Sequence, residues 1–342
     1  MNNNKVLLIV SIVLLGVAAY FYYNNNGSTF KQELTDFAVE DTASVTRIFL
    51  ADQEGTNILL DRNSDGVTWT LNGKYDARKD AVTLLLKTMH KVEVKSPVPL
   101  AMEENVIKRL SSKGIKVEVY EKNKHKKAAK VYYVGGGTKD GYGTFMLLEN
   151  SSKPFITYIK NNRGTLTPRY FLDESAWRDT KILAVPSSEI KSIKVEHIEN
   201  KENSFIINNI NAETKQFELN TVNKNIIQSI DTLEVMDYIT RFEKLHFEFF
   251  PPSPAPQLQD SLTKNEHIFN LIVTDKADNK YVVKGFRSPP FDDERIDNNT
   301  GEPFLADPDR LFLKVEGLEN WVIGQYFVFD PIIVTANSFV KN

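Results

Sequence analysis

The sequence predicts an α+β fold: one N-terminal transmembrane helix followed by two tandem diverged repeats, each an antiparallel sheet with one main helix. Three observations predict it. Residues 6–23 carry no charged side chain. Short apolar runs with strand-like alternation, separated by polar turns, fill most of the remaining chain. The order strand, strand, helix found over residues 44–94 returns over residues 189–247. With 342 residues the chain is long enough for about two domains of the usual 100–200 residues.

Residues 1–5, ending at Lys5, form a short cytoplasmic tail. The apolar stretch 6–23 is expected to be the anchor: at about 1.5 Å per residue it spans roughly 27 Å. Tyr20, Phe21, Tyr22 and Tyr23 would form an interfacial aromatic belt at its end. The expected location is therefore the inner (cytoplasmic) membrane, single-pass, with the C-terminal bulk periplasmic. Val17-Ala18-Ala19 offers the alternative of a cleaved signal peptide. Residues 24–36, opening with Asn24-Asn25-Asn26-Gly27-Ser28, read as a polar tether.

The first α+β repeat is assigned to residues 37–183. Val45, Ile48 and Leu50 open a strand, and two further apolar runs flank Asn63-Ser64-Asp65-Gly66. An Asp-Gly pair between such runs is a hairpin signal, because both residues tolerate the positive φ of a tight turn. From Asp76, read as an N-cap, Ala81, Val82, Leu85, Leu86 and Met89 recur at helical spacing. Ser96-Pro97-Val98-Pro99 stops that helix, and a shorter one over 103–112 ends at Gly114. Ile115, Val117 and Val119 begin a strand, followed by strands over 131–134, 144–148 and 155–159. Arg169-Tyr170-Phe171 is also strand-like.

The second α+β repeat is assigned to residues 184–342. Ile193 and Val195 match the opening strand, Phe205-Ile206-Ile207 the next, and Phe217 and Leu219 stand where Trp69 stood. Asp231, with Glu234 three residues on, makes a capping-box-like start to a helix carrying Val235, Tyr238, Ile239 and Phe242. The proline run over 251–256 falls where Ser96 to Pro99 fall in the first repeat, so it is not a domain linker. Leu271 and Val273 match Val117 and Val119, Tyr281 matches Val131, Phe312 matches Phe145 and Trp321 matches Phe155. The offset between matched residues grows from 145 at Ile48 and Ile193 to 167 at Phe145 and Phe312. Most of that growth falls in residues 287–309, an insertion rich in Pro, Asp, Glu and Asn and the first place to look for a partner surface.

The net charge of −3 argues against nucleic acid as a partner. The absence of cysteine excludes disulfides, thiolate metal sites and thiol catalysis. Asp61, Asn63 and Asp65, followed by Gly66, resemble the front half of a calcium loop, but its twelfth position is Asn72 rather than glutamate. A hairpin tip accounts for the same residues. Gly135-Gly136-Gly137 lacks the spacing of a phosphate loop. Lys122, Lys124, His125, Lys126, Lys127 and Lys130 read as a solvated hairpin end. His90, His125, His197, His246 and His267 are scattered without metal-ligand spacing, and Asp292, Asp293 and Glu294 read as a solvated acidic loop. No catalytic residue and no cofactor is assigned.

Several stretches together carry a family resemblance: Phe37-Ala38-Val39-Glu40-Asp41, Trp69-Thr70-Leu71-Asn72-Gly73, Asn105-Val106-Ile107-Lys108-Arg109-Leu110 and Leu166-Thr167-Pro168-Arg169-Tyr170-Phe171. In these the chain resembles a Bacteroidetes branch of the family of domain of unknown function 4340. The resemblance implies a bacterial single-pass envelope protein, in a family with relatives associated with ABC-transporter auxiliary components. It supplies no catalytic residues. The expected function is a non-enzymatic accessory or scaffold component with a protein partner in the envelope; the alternative is a small-ligand or glycan-binding module.

Overall fold

The computed structural model describes residues 13, 15, 16, 20, 35–122, 127–211, 214, 216–221, 226–251, 267–291, 295–298 and 300–341. Two compact units divide the chain, Met1–Asp179 and Thr180–Asn342.

In the first unit, alternation of buried and half-exposed residues builds one antiparallel sheet. Its strands are β1 (Val45–Ala51), β2 (Asn57–Arg62), β3 (Trp69–Leu71), β4 (Tyr75–Asp76), β5 (Val92–Pro97), β6 (Ile115–Glu121), β7 (Lys130–Gly137), β8 (Thr144–Leu148) and β9 (Phe155–Ile159). Their order is β4-β3-β2-β1-β6-β7-β8-β9-β5. Ile48 lies opposite Leu60 on one side and Val119 on the other, and all three are fully buried. Helix α1 (Lys79–Lys91) adds Ala81, Val82, Leu85 and Met89 to this core. Phe37, Tyr132, Tyr170 and Trp177 complete it. Helix α2 (Leu100–Lys113) belongs to a separate cluster, in which Val106 and Leu110 meet Tyr133, Phe145, Leu147 and Ile156. Gly135 makes that approach possible, since a Cβ there would lie 2.7 Å from the Leu110 side chain.

The second unit repeats the plan with a main sheet of seven strands. Strand β10 (Lys181–Leu183) pairs with β14 (Leu245–His246) as a small sheet. The main sheet comprises β11 (Ile190–His197), β12 (Phe205–Asn211), β13 (Gln216–Thr221), β15 (Phe269–Asp275), β16 (Lys280–Arg287), β17 (Arg310–Val315) and β18 (Val322–Gln325). The order β13-β12-β11-β15-β16-β17-β18 reproduces β3-β2-β1-β6-β7-β8-β9 of the first unit. Ile193 pairs with Ile207 and Val273 as Ile48 pairs with Leu60 and Val119. Helix α3 (Thr232–Thr240) starts at Asp231, whose carboxylate accepts from the amides of Leu233 and Glu234. Its Tyr238 is buried and donates to the Ile332 carbonyl at 2.7 Å.

The α+β reading needs correction: the protein is mostly β, with three antiparallel sheets. The first unit carries two helices of similar length, 13 and 14 residues, instead of one main helix. Helix α2 was under-read because it buries only Val106 and Leu110, leaving its apolar period faint. Strands β4 and β5 are too short or too proline-marked to read as such, yet they widen the sheet to nine strands. The N-terminal transmembrane helix is likewise not supported, since no described helix is long and apolar enough to cross a membrane. Of the stretch 6–23 only residues 13, 15, 16 and 20 are described, and the tail 1–5 and tether residues 24–34 lie outside the described residues.

Smaller differences follow from local geometry. Asp76 pairs with Thr70 in the sheet and is not the cap of α1; Arg78 holds that position without a side-chain capping bond, its guanidinium reaching Asp80 instead. Residues 167–169 form a 3-10 turn, which buries Tyr170 against Tyr132. Two matches between the copies slip by one residue. Val117 pairs with Tyr132 and Leu271 with Val283, so Tyr132 corresponds to Val283, and by the same logic Phe155 corresponds to Val322. A one-residue slip exchanges the two faces of a strand, and Tyr132 and Val283 are both fully buried.

Candidate functional site

A difference between the two sheets lies between β16 and β17, where residues 287–309 are inserted. Its described part is an anchored structure. At the base, Asp307 is buried, and its carboxylate accepts from the amides of Phe291 at 3.1 Å, Asp309 at 3.0 Å and Arg310 at 2.8 Å. The amide of Asp307 donates to the carbonyl of buried Ser288 at 2.8 Å. The guanidinium of Arg310 forms a two-pronged pair with Glu248 at 2.7 and 2.8 Å, and this partner raises its pKa. The same guanidinium stands 5.8 Å from the Phe291 ring. Arg287 grips both oxygens of Glu199 and holds that carboxyl below its ordinary pKa.

Further out, Ile296 and Pro303 bridge two antiparallel segments, closed by a turn in which Gly301 (φ 72°) donates to the Asp297 carbonyl. Alternation about this bridge sets Arg295 and Phe304 on one side, where the guanidinium lies 5.6 Å from the ring centre. Ile296 and Pro303 face each other across the bridge, and Leu305 lies in the bend that follows. Leu305 is 98% exposed, Ile296 52% and Phe291 49%.

A second feature of this unit is a half-open cleft of about 610 Å³, formed where β11, β12 and β13 meet the turn over 199–204. Ile198, Phe205 and Ile206 give it apolar walls, and Lys194, Glu196, Lys201 and Asn220 give it a polar rim. Glu196 is fixed by Lys194 at 2.5 Å and Asn270 at 2.9 Å; the bond from Lys194 is the main reason its pKa is lowered.

The residues singled out by sequence are engaged in the framework. Asp61 pairs with Arg47 at 2.5 Å. Asn63 bonds Thr68 and Thr70, while Asp65 accepts from the amides of Val67 and Thr68 and from the Thr68 hydroxyl. Asn63 and Asp65 therefore close a hairpin tip, with Gly66 at φ 71°, and Asp61 ties β2 to β1. Among the described residues no group of three or more His, Cys, Asp or Glu is arranged to hold a metal ion. His90 bonds the Val39 carbonyl, His197 the Val334 carbonyl and His246 the Thr180 hydroxyl. Lys130 reaches Asp36 at 2.9 Å. His125 and the acids at 292–294 lie outside the described residues.

Among the described residues the shifted groups are accounted for by their immediate neighbours. The lowered carboxyls, among them Asp65, Glu199 and Asp275, are bound as anions by neighbouring donors. Buried Tyr132 and Tyr170 share a hydroxyl contact of 3.3 Å, and burial raises both, Tyr170 to about 12. Asp330 is raised by burial. The exposed Leu305 and the Asp307 clasp are what the sequence reading misses. The clasp had a faint signal, an aspartate two and three residues ahead of the amides it binds.

Fold and site together define a class: a two-unit antiparallel β protein whose second unit carries a clasped surface hairpin. The model of the domain of unknown function (DUF4340) matches residues 69–259, more than half of the 342-residue chain, and the protein belongs to that family. Comparison with curated proteins and with solved structures returns no match.

Proposed function

We propose that the protein is a non-enzymatic accessory or scaffold component of the bacterial cell envelope that works by holding a protein partner. The observation that carries this reading is the inserted hairpin. Its base is locked by a buried aspartate and a two-pronged ion pair, yet it presents Leu305 with 98% of its surface open. Rigid support under an exposed apolar side chain suits binding, because little ordering entropy remains to be lost on association.

Within the family we place the chain in a Bacteroidetes branch, on the motifs around Trp69 and Leu166, and an ABC-transporter complex is the first assembly to test. Purification of the tagged chain from its native cells under mild conditions, followed by mass measurement of the eluted species, tests the reading. A stoichiometric complex supports it; a chain that is always solitary retires it. A second reading, a small-ligand or glycan-binding module, is favoured by the cleft of about 610 Å³, a size that suits a small ligand.

A further inference from the structure

The two copies treat one corner of the fold differently. In the first, Arg62 stands opposite Trp69 across the β2–β3 pair, its guanidinium 4.8 Å from the indole centre and donating to the Thr42 carbonyl at 2.7 Å. In the second, Asn209 and Phe217 hold the matching positions of the β12–β13 pair. The register fixes that match, since Leu60 and Ile207, two residues before Arg62 and Asn209, pair with Ile48 and Ile193. Asn209 keeps one task of the arginine: its amide nitrogen donates to the Ile190 carbonyl at 2.8 Å and to the Ser187 carbonyl at 3.4 Å, and Ser187 precedes Ile193 by as many residues as Thr42 precedes Ile48. The other task, a cation over the ring, is left undone, for among the described residues no cation stands over Phe217. A cleft of about 220 Å³ lies there, walled by Ser187, Asn209 and Phe217 and by Met236 and Ile239 of α3. The Asn209 Oδ1 is shielded from solvent and meets no donor among the described residues. Glu243, which accepts from the Ser187 amide at 3.0 Å, keeps a carboxylate next to the cleft.

We propose that this cleft receives the guanidinium of an arginine presented by a partner protein, taking in trans the group that Arg62 supplies within the first unit. The proposal rests on the accessory reading above and names what the partner presents. The guanidinium plane would lie on Phe217, an attraction that grows as the cation is desolvated, and one of its N–H groups would donate to the Asn209 Oδ1. A lysine fits less well, because its ammonium is more strongly hydrated and has no flat face to set on the ring.

The test uses the full chain and three small probes, the N-acetyl methylamides of arginine, lysine and citrulline, with binding followed by NMR at the backbone amides of Asn209, Phe217 and Ile239. The expected result is a saturable shift with the arginine probe, with the lysine and citrulline probes at least about fivefold weaker. Asn209→Arg supplies the group from within the chain and should abolish binding, with a melting temperature equal to or above that of the wild type. Phe217→Leu should weaken the arginine probe roughly threefold to fivefold, the scale of losing one cation–π contact. Equal binding of citrulline, which keeps the shape and loses the charge, would overturn the proposal, and so would arginine binding that Asn209→Arg leaves intact. Should Asn209→Arg fail to fold, Phe217→Leu decides, and an unchanged affinity there overturns the proposal. In native purification, loss of the complex on Asn209→Arg supports an arginine borne by a protein. A native complex that survives Asn209→Arg would leave the accessory reading standing and remove this cleft from it; probe binding beside such a complex would assign the cleft to a free guanidino compound. A wild-type chain without any native complex would remove both the accessory reading and the partner's arginine.

Discussion

Replacing Asp307 by alanine tests whether the hairpin is held from its base. The carboxylate is buried and accepts three amide hydrogen bonds, from Phe291, Asp309 and Arg310. A hydrogen bond to a charged group contributes roughly 1.5–3 kcal/mol, and an amide left buried and unpaired costs about 1–3 kcal/mol. The clasp lies near the surface, so water will satisfy part of what the alanine leaves open. A local loss of about 3 kcal/mol is therefore the expected scale, well below the plain sum of three bonds. Hydrogen exchange under native conditions reads it directly: protection of the Phe291, Asp309 and Arg310 amides should fall roughly a hundredfold, at about 1.4 kcal/mol per decade. Amides of β11 and β15 in the same unit should move far less. Asp307→Asn, which keeps an acceptor oxygen, should lie between. Unchanged protection at all three amides in Asp307→Ala would refute the clasp and, with it, the rigidity on which partner binding has been argued.

Four further outcomes follow from other parts of the molecule. A Cβ on Gly285 would lie 2.1 Å from the Phe269 ring, so Gly285→Ala should destabilise the second unit by about 1–3 kcal/mol, read from the fluorescence of Trp321, the tryptophan of that unit. Tyr170→Phe leaves the Tyr132 hydroxyl buried without its partner and should cost the first unit about 1–2 kcal/mol in denaturant unfolding. Glu196 is held below its ordinary pKa chiefly by Lys194, so its contribution is present above the unfolded carboxyl pKa and is lost as pH falls through the lower folded value. Glu196→Gln should accordingly flatten the acid side of the stability curve and leave its slope above pH of about 6 unaltered. Millimolar calcium should leave the melting temperature in place, because Asp61, Asn63 and Asp65 are already engaged by Arg47, Thr68 and Thr70; an upward shift would show that those bonds yield to the ion.

The parts of the fold that were legible in the sequence are those with a strict local period. Ile48 and Leu50 alternate into the core, Ala81, Val82, Leu85 and Met89 follow a helical stripe, and Asp231 announces a helix start. Pairings between distant strands could be transferred from one copy to the other only to within a residue, because Val131, Tyr132 and Tyr133 are all plausible core residues and nothing local says which one points inward. The sheet shows that it is Tyr132, through its pairing with Val117. Helix α2 was under-read for a related reason: its buried face consists of two residues and a glycine on the strand beneath it. The candidate surface was legible as a position and not as a shape. The offset between copies located the insertion, but the clasp joins Asp307 to Phe291 across sixteen positions, and no periodic signal marks such a bond.

The two sheets also show how one strand order can support different surfaces. In the first unit Ile115 faces Val134 across the β6–β7 pair; in the second, the matching pair is Phe269 and Gly285. Two medium side chains have been exchanged for one large and one absent, which fills a similar space while fixing the ring against the glycine. On the opposite face the exchange runs the other way. Gly135, which admits Leu110 of α2, corresponds to Phe286, whose ring meets Trp321 edge-on at 5.0 Å. Tyr133 and Leu147, beneath α2, correspond to Lys284 and Lys314, and Lys314 turns its ammonium over the Trp321 ring. A face built for a helix in one unit has become an aromatic cluster with basic margins in the other. The core pairings Ile48–Leu60 and Ile193–Ile207 tolerate no such freedom, because both faces of a slip would be wrong. Divergence between the units is therefore plainest on outer faces and connections, where α2 covers the first sheet and residues 287–309 are inserted in the second.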